Sequence, residues 1–308
     1  MKGSSDTMDT RVLRYFVKVA ETNNLTKAAN QLHVTQPTLS RQIMELEEEV
    51  GVKLFDRQKH QLHLNDAGIL FQQRAQTILS LIDHTEDELQ QGHDGLAGTI
   101  NFGCVESSVA PYMMKIVERF QDKYPQVNFK VFDGDGDSLR QQIDQGVCDM
   151  AAMIQPVEVA KYNYLQLPVK DRWGLILRAD DLLAKKKQIT AHDLYQLPLI
   201  TGRRNIVRDD LKDVLKLDPQ RLNVKVMINL PENVKSLVTH GHYYALGIDG
   251  VFAQYHDERL AFVPFSPAKS AGHVLAWRKT RQLGKVAQTF LQFVTAQMAA
   301  NEKRAANN

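Results

Sequence analysis

The stretch from residue 25 to residue 64 constrains this chain more than any other part of the sequence. Its pattern of apolar and polar residues predicts a short helix, a tight turn, a second helix and then a small hairpin. A helix-turn-helix followed by such a hairpin, or wing, places its second helix in the major groove of DNA. The sequence therefore predicts a winged helix-turn-helix DNA-binding domain over residues 8–65.

The second helix of this segment carries the side chains that suit DNA. Thr35 is a good N-cap, and Pro37 is tolerated in the first turn because its missing N–H would be unpaired there anyway. Leu39, Ile43 and Leu46 form an apolar stripe, which leaves polar side chains on the other face. Glutamine suits adenine, arginine suits guanine, and threonine and serine suit either. The predicted DNA-binding residues are Lys27, Thr35, Gln36, Pro37, Thr38, Ser40, Arg41, Arg57 and Lys59.

Local signals complete the predicted domain. Gly51 is expected to end the second helix in the left-handed conformation, and Asn65 to cap the next one. Two wing strands are predicted over residues 53–55 and 60–64, joined by residues 57–59, whose cations suit phosphate or minor-groove contact. The alternative for the polar helix face is an ordinary solvated surface, and the flanking helix and wing argue against it. A net charge of +2 alone does not indicate a nucleic-acid binder.

This segment closely resembles the LysR-type transcriptional regulators. The family pattern is AAxxLxxxQPxxSxxIxxLExxxGxxLFxR, followed by a wing and a long helix. The chain departs from the family at residues 65–66, Asn-Asp in place of the usual Thr-Glu, and in a wing that is poorer in Arg and Gly. The matching positions are Ala28-Ala29, Leu32, Gln36-Pro37, Ser40, Ile43, Leu46-Glu47, Gly51, Leu54-Phe55 and Arg57.

The residues after the wing predict a linker helix over residues 66–92 that mediates dimerisation. Apolar residues recur there at spacings of four and three, which is the seam of a two-stranded coiled coil. A winged helix that binds a two-fold operator also needs a dimer. The alternative is that this stripe packs on its own domain, and the resemblance implies dimers that pair into tetramers. The predicted dimerisation residues are Phe71, Ala75, Ile78, Ile82 and Leu89.

From residue 96 onward strand patterns alternate with helix patterns, which predicts an α/β fold with a parallel sheet and ligands at the carboxyl ends of its strands. The resemblance implies an effector domain over residues 96–303, built like a periplasmic binding protein. Its first subdomain would comprise residues 96–166 and 268–303, and its second residues 167–267. The effector would bind in the cleft between them.

Polar loops that follow these strands are the candidate effector site. Hydroxyls beside free helix amides, as at Ser107 and Ser108, suit a carboxylate or phosphate. The alternatives are that Ser108 is simply an N-cap and that Arg203 is a solvated surface charge. An anionic metabolite is therefore the leading effector class, and no cofactor is expected. The predicted effector-binding residues are Ser107, Ser108, Gln155, Thr201, Arg203 and Asn229.

Other classes of protein find little support. The chain has no G-x-S-x-G elbow, P-loop, H-E-x-x-H or dinucleotide fingerprint, so it is predicted not to be an enzyme, although periplasmic-binding-protein architecture also supports catalysis. A third interpretation is a DNA binder that no metabolite modulates. Residues 133–137 resemble a calcium loop but lack its closing glutamate, so they predict a turn and an N-cap, and no metal site is expected.

The remaining composition bears on compartment and partners. Two cysteines, Cys104 and Cys148, lie in apolar surroundings and are interpreted as buried reduced thiols, with a redox switch as the alternative. No apolar run has membrane-spanning length and the N-terminus lacks a signal-peptide core, so the protein is expected in the cytoplasm without membrane contact. The expected partners are double-stranded DNA with inverted-repeat half-sites and further copies of the chain, with RNA polymerase as a further candidate.

Overall fold

The structure is a computed structural model that describes residues 9–58, 61–90, 96–203, 211–230, 232, 235–255 and 257–306. The chain divides into two compact units, Met1–Gln90 and Gln91–Asn308. No described helix is both long and apolar enough to cross a membrane.

The first unit is a helix-turn-helix with a two-stranded wing. Its core contains Phe16, Leu39 and Leu46, each fully buried, and the Phe16 ring also packs against Phe55 from the wing with centroids 5.2 Å apart. This packing buries the apolar stripe of the second motif helix and turns its polar face outward. The elements are α1 (Thr10–Thr22), α2 (Leu25–Gln31), α3 (Gln36–Val50), β1 (Phe55–Gln58), β2 (Gln61–Leu64) and α4 (Asp66–Gln90).

The helix ends of this unit follow local chemistry, with one difference from expectation. Thr35 caps α3 and Gly51 ends it with φ +74°, as predicted. The Asn65 side chain accepts a hydrogen bond from the Gly68 amide at 2.9 Å, so it caps α4. Sequence alone favours Thr26 as the cap of α2, but Asn24 takes that place, accepting from the backbone N–H three residues on at 2.9 Å.

The first wing strand is shifted toward the hairpin tip: it covers Phe55–Gln58, where residues 53–55 were predicted. Arg57 was predicted in the connecting turn, but its backbone lies within β1, opposite Leu62. The pairing register is decided by Phe55, which is buried against the helical core and sets which residues of β1 face inward. The side chain of Arg57 and all of Lys59 lie outside the described residues.

Two predicted dimerisation residues instead hold α4 against its own domain. Phe71 meets Phe16 edge-on with centroids 4.8 Å apart, and Ala75 is 1% exposed in the same core. Ala75 has almost no exposed surface, whereas Phe71 is partly buried. At these two positions the contacts support the alternative interpretation, packing on the same domain, and their role in dimerisation stays a prediction.

The second unit is an α/β structure around a mixed sheet. The sheet order is β4-β3-β5-β11-β6-β9-β7-β8, with β10 paired to β6. Its described elements are β3 (Gly98–Cys104), α5 (Val109–Lys123), β4 (Val127–Asp133), α6 (Gly136–Asp144), β5 (Met150–Ile154), β6 (Tyr162–Arg178), a 3-10 turn (Leu182–Lys185), α7 (Ala191–Leu194), β7 (Leu199–Gly202), α8 (described over 211–215), a 3-10 turn (Pro219–Arg221), β8 (Val224–Ile228), α9 (Lys235–Thr239), β9 (Tyr244–Ile248), α10 (Asp249–Tyr255), β10 (Leu260–Pro264), β11 (Ser270–Arg278) and α11 (Lys285–Ala306).

The sheet is mixed and not wholly parallel as predicted. Strands β3, β4 and β5 are parallel, as are β7, β8 and β9, whereas β6, β10 and β11 pair antiparallel with their neighbours. Strand β6 pairs with β11 up to Arg172 and then with β9 and β10 from Trp173. It therefore passes between two lobes, which we define as residues 98–154 (first lobe) and residues 173–264 (second lobe). The two lobes also have separate apolar cores.

Candidate functional site

Helix α3 presents an exposed polar face in its first half. Thr38 and Arg41 are exposed, while Gln36 and Ser40 are half-buried. The Thr35 hydroxyl lies 2.7 Å from that of Thr38 and accepts from the Thr38 amide at 3.4 Å, which holds the start of the helix in place. The first turn therefore offers hydroxyl, amide and guanidinium groups on one exposed surface. Lys27 and Pro37 are also exposed.

The guanidinium of Arg41 is held by a neighbour on its own helix. Its Nε donates to Glu45 Oε1 at 2.7 Å, and the side chain is 77% exposed. Gln42 donates to the other oxygen of the same carboxylate at 2.7 Å. An exposed i,i+4 pair contributes only about 0.3–0.5 kcal/mol, so a phosphate or a guanine edge can replace Glu45 at small cost.

Glu47 supports the DNA-binding unit by joining α3 to the wing, a role that the sequence analysis did not predict. It is 8% exposed, and its Oε1 accepts the backbone N–H groups of Leu54 (2.8 Å) and Phe55 (3.2 Å). Its other oxygen accepts from Lys53 Nζ at 2.8 Å. The carboxylate therefore fastens α3 to the start of the wing. In the sequence, Glu47 stands out only as a match to the family pattern, and that match does not indicate this contact.

A cavity of about 170 Å³ lies between the two lobes of the second unit. Three predicted effector residues line it: Thr201, Arg203 and Asn229. The first lobe adds Glu106 and Asp135 to the lining. Most of the remaining wall is apolar and comes from the second lobe, from the sheet strands and from α9 and α10.

The other predicted effector residues lie outside the cavity lining. Ser107 is fully buried and its hydroxyl lies 2.9 Å from His273 Nε2. Ser108 begins α5, but its side chain makes no capping bond; Ser107 Oγ accepts from the Val109 amide instead, at 3.3 Å. Gln155 is exposed and donates to Gln166 at 2.8 Å. The chain positions these groups near the lobe boundary without bringing them to the cavity wall.

The charged groups on the cavity wall differ in their partners and in the direction of their pKa shifts. Arg203 reaches Asp135 Oδ2 at 3.4 Å, and Ser138 and Arg203 hold the pKa of Asp135 below its usual value against the opposing effect of burial. Asp135 is also the N-cap of α6, as the sequence predicted for this turn. Burial raises the pKa of Glu106, with Asp133 and Glu232 adding like-charge repulsion.

A buried polar cluster joins the crossing strands to both lobes. His273 Nε2 faces Asp171 Oδ2 at 3.4 Å in addition to Ser107, and both of these residues are at most 1% exposed. His273 Nδ1 lies 3.1 Å from the carbonyl oxygen of Val169. Gln254, on α10, donates to the Ser107 carbonyl at 2.7 Å. The cluster therefore connects the loop before α5, strands β6 and β11, and a second-lobe helix.

The geometry of this cluster differs from that of a hydrolytic triad, although it contains serine, histidine and aspartate. In such a triad the carboxylate holds Nδ1–H while the hydroxyl faces Nε2. Here a backbone carbonyl holds Nδ1, and Asp171 and Ser107 share the other side of the ring. None of the three lines the cavity, and the Ser107 side chain is fully buried. The cluster is a structural element.

The two cysteines are buried in the first lobe. Burial raises the pKa of the Cys104 thiol to about 12, with a contribution from Asp133. Burial likewise raises the pKa of Cys148 to about 12, with a contribution from Asp149. Both thiols are therefore expected to stay protonated, which is the buried-thiol interpretation of the sequence. Among the described residues, no three His, Cys, Asp or Glu side chains converge as a metal ion would require.

Alkylation of the folded protein with iodoacetamide tests this interpretation. Both thiols should react at least about 100-fold more slowly than in the unfolded chain, because only the thiolate is nucleophilic and a pKa shift of one unit changes its population tenfold. Mass spectrometry of time points taken with and without guanidinium chloride measures the ratio. Rapid labelling of either cysteine in the folded state would restore the redox alternative.

Comparisons with known proteins match both units. The family model described as "Bacterial regulatory helix-turn-helix protein, lysR family" matches residues 10–69, and "LysR substrate binding domain" matches residues 93–299. YvbU of Bacillus subtilis, named an uncharacterized HTH-type transcriptional regulator, is 32% identical over 190 residues, which are 61% of this chain and 64% of YvbU. BsdA of the same species, an HTH-type transcriptional regulator, is 34% identical over 161 residues, 52% of this chain and 55% of BsdA. These matches thus span less than two thirds of either relative.

Solved structures match over a greater length. CbnR, a LysR family transcriptional regulator, has a TM-score of 0.71 at 19% identity, covering 94% of this chain and 99% of that one. The structure of full-length CbnR in complex with its target DNA has a TM-score of 0.69 at 19% identity, with the same coverage of both chains. At this level of identity the likeness shows a common fold.

Proposed function

The chain belongs to the LysR family, and from that premise we propose that it is a transcriptional regulator, not an enzyme, which binds operator DNA and responds to a small-molecule effector. The observation that carries the proposal is the exposed polar first half of α3, presented by a capped helix within the unit that matches the family's DNA-binding model. Such a regulator would act in the cytoplasm, where the DNA lies. RNA polymerase remains a candidate partner.

In this proposal α3 enters the major groove of double-stranded DNA. Gln36, Thr38 and Arg41 face base edges, with Ser40 beside them. Lys27, Thr35 and Pro37 lie next to the sugar-phosphate backbone of the DNA, where the N-terminus of α3 favours a phosphate. Arg57 and Lys59, from the wing, are proposed to contact phosphate or the minor groove.

A dimer would place two such helices on an inverted-repeat operator. We propose that α4 pairs with a second copy through exposed apolar side chains that include Leu70 and Ile78, which are 56% and 42% exposed. Ile82, half-buried, extends the same region, while the side chain of Leu89 lies outside the described residues. Pairing of dimers into tetramers is proposed from the family alone.

The cavity between the lobes is the proposed effector site, and the lobes are the proposed subdomains. A ligand that contacts both lobes would bind their closed arrangement more tightly, and that differential affinity is what shifts a conformational equilibrium. The sequence favoured an anion because of Ser107, Ser108 and Arg203. In the structure the Ser107 hydroxyl faces His273 and Arg203 pairs with Asp135, so each of these two groups already has a protein partner.

Replacing Arg41 with alanine tests the DNA-binding proposal. The variant should bind selected operator duplexes about 10- to 100-fold more weakly, since a good arginine–guanine contact is worth about 1–3 kcal/mol. It should fold normally, because the Arg41–Glu45 pair is a surface pair. Duplexes selected from a random pool by the wild-type protein, followed by fluorescence anisotropy at several salt concentrations, give the affinities.

The matched control is Arg178→Ala, which removes an arginine that pairs with an aspartate in the second unit. Its DNA affinity should equal that of the wild type. The wild type should also lose affinity steeply with rising salt, as phosphate contacts require. Equal affinities for the Arg41 variant and the wild type would remove Arg41 from the interface, and failure of the wild type to select any duplex would refute the proposed function.

A further inference from the structure

The cavity between the lobes has walls that suit an apolar ligand of limited size. Its volume of about 170 Å³ is similar to that of the engineered cavity of about 150 Å³ that holds one benzene molecule. The half-buried ring of Trp173 lies among its walls. A single ring or a branched alkyl group therefore fits the space. The apolar side chains that surround it are Ile176, Val238, Ala245, Ile248, Val251 and Leu260.

The cations on the cavity wall already have protein partners. Arg203 pairs with Asp135 at 3.4 Å. Lys235 donates to the Tyr255 carbonyl at 3.2 Å, lies over the Tyr255 ring at 4.8 Å and faces Asp257 at 3.7 Å. A ligand carboxylate would have to share either cation with these partners.

Glu106 differs from these two cations because it has no such partner among the described residues. Its side chain is half-buried on the cavity wall, and within the described ranges it has no hydrogen-bond or ion-pair partner. Its pKa is raised by burial and by the like charges of Asp133 and Glu232. A partly desolvated carboxylate among like charges is stabilised by an added cation and destabilised by an added anion.

The Tyr255 side chain, also on the cavity wall, is influenced by two of the same carboxylates. Its pKa is raised by burial and by Glu232 and Glu106, so the hydroxyl remains protonated. Thr201 adds a second hydroxyl to the wall. A ligand that brings N–H groups would find a carboxylate and two hydroxyl oxygens to accept them.

We propose that this cavity takes a small organic cation, namely an amine carried on a single ring or a branched alkyl group, whose ammonium binds the carboxylate of Glu106. The apolar part lies in the second lobe, and the charged part contacts the first lobe. The ligand therefore touches both lobes, which is the property that the proposed effector response requires. This inference rests on the proposed function and specifies the chemistry of its effector.

Three probes with the same ring and different head groups test the sign of the charge. At neutral pH benzylamine is a cation, benzyl alcohol is neutral and benzoate is an anion. Isothermal titration calorimetry on the full chain should give the tightest binding for benzylamine and the weakest for benzoate. The amine should exceed the alcohol by about tenfold to a hundredfold, the range expected for a hydrogen bond to a charged group.

Substitutions assign the effect to Glu106. Glu106→Gln keeps the shape of the side chain and should remove most of the preference for the amine over the alcohol. Glu118→Gln, an exposed position on α5 outside the cavity wall, is the matched control and should retain the full preference. Ala245→Val narrows the apolar part of the cavity and should weaken the binding of benzylamine and of benzyl alcohol to the same extent. This variant therefore separates the contribution of the ligand's ring from that of its charge.

Several outcomes would overturn the proposal. Benzoate binding as tightly as benzylamine would show that the head-group assignment is wrong, and so would an unchanged amine preference in Glu106→Gln. Binding of none of the three probes would show that the cavity does not admit this class of ligand. DNA binding by the same preparation is measured in parallel, because loss of the charge preference with DNA binding intact refutes this inference alone, whereas loss of DNA binding refutes the proposed function.

Discussion

Replacing Glu47 with alanine is expected to destabilise the first unit by about 2–6 kcal/mol. The Glu47 carboxylate accepts the buried amides of Leu54 and Phe55, and its removal leaves both without a partner. Each unpaired buried group costs about 1–3 kcal/mol. The pair with Lys53 adds little, since that lysine is 69% exposed. A loss of this size is a large fraction of the roughly 5–15 kcal/mol that stabilises a typical domain, so the DNA-binding unit should unfold at a clearly lower urea concentration.

The two units can be followed separately in this experiment. The chain has two tryptophans, Trp173 and Trp277, and both lie in the second unit. Tryptophan fluorescence during urea unfolding should therefore show an unchanged midpoint, while far-ultraviolet circular dichroism should gain an early transition. Glu48→Ala, an exposed neighbour on the same helix, serves as the control and should behave like the wild type. If the unfolding curves of the Glu47 and Glu48 variants coincide, the Glu47 carboxylate contributes no net stability.

Replacing His273 with alanine is expected to destabilise the second unit by about 3–5 kcal/mol. The side chain is fully buried, and its loss creates a cavity. It also leaves the Ser107 hydroxyl and the Val169 carbonyl without their ring partners. Tryptophan fluorescence reports this unit, so the urea midpoint should fall in that signal. His192→Ala, at an exposed position, is the control and should leave the midpoint in place.

The same histidine predicts how the stability of the second unit depends on pH. Burial lowers the pKa of His273 in the folded state, while Val169 and Asp171 act in the opposite direction without cancelling the effect. The unfolded chain therefore binds a proton near the ordinary histidine pKa of about 6.5, before the folded chain does. The contribution of neutral His273 is complete above that pH and is lost as pH falls toward the folded pKa, with a slope of at most about 1.4 kcal/mol per pH unit.

Urea midpoints measured at a series of pH values test this dependence. The wild type and His192→Ala should lose stability in parallel below the unfolded pKa. His273→Ala should show a shallower loss over the same range, since the titrating group is absent. Equal slopes in His273→Ala and the wild type would mean that groups other than His273 account for the acid sensitivity.

Sequence patterns predicted elements well where the decisive interactions are local. Apolar periodicity predicts a helix over 109–123 and a strand over 150–154, and helix α5 (Val109–Lys123) and strand β5 (Met150–Ile154) have these bounds, because period and flanking residues define them. Thr35 and Gly51 act as predicted at the ends of α3, since a cap depends on atoms within a few residues. The error at α2, where Asn24 and not Thr26 is the cap, reflects two good capping residues close together in the chain.

The candidate sites depended more on distant contacts. The apolar spacing correctly predicted that α4 is a helix. Periodicity does not show which apolar residues a neighbouring helix will cover, and Phe16 covers Phe71. Polar residues after strands were expected at the effector cleft, yet Ser107 turns toward His273, which lies far away in the sequence. Glu106, adjacent to Ser107 in the chain, reaches the cavity wall instead.

The sequence by itself determined the helix-turn-helix with its wing, the capped helix with its polar face, and the family, because these follow from short-range periodicity and from a motif contained in one continuous segment. Only the tertiary structure decided the antiparallel crossing of β6 and β11, the support of the wing by Glu47, and the choice between Glu106 and Ser107 at the cavity. These features depend on pairs of groups that the fold brings together from separate strands and helices. The free energy of a buried polar group depends on those partners, and the chain's local pattern does not contain them.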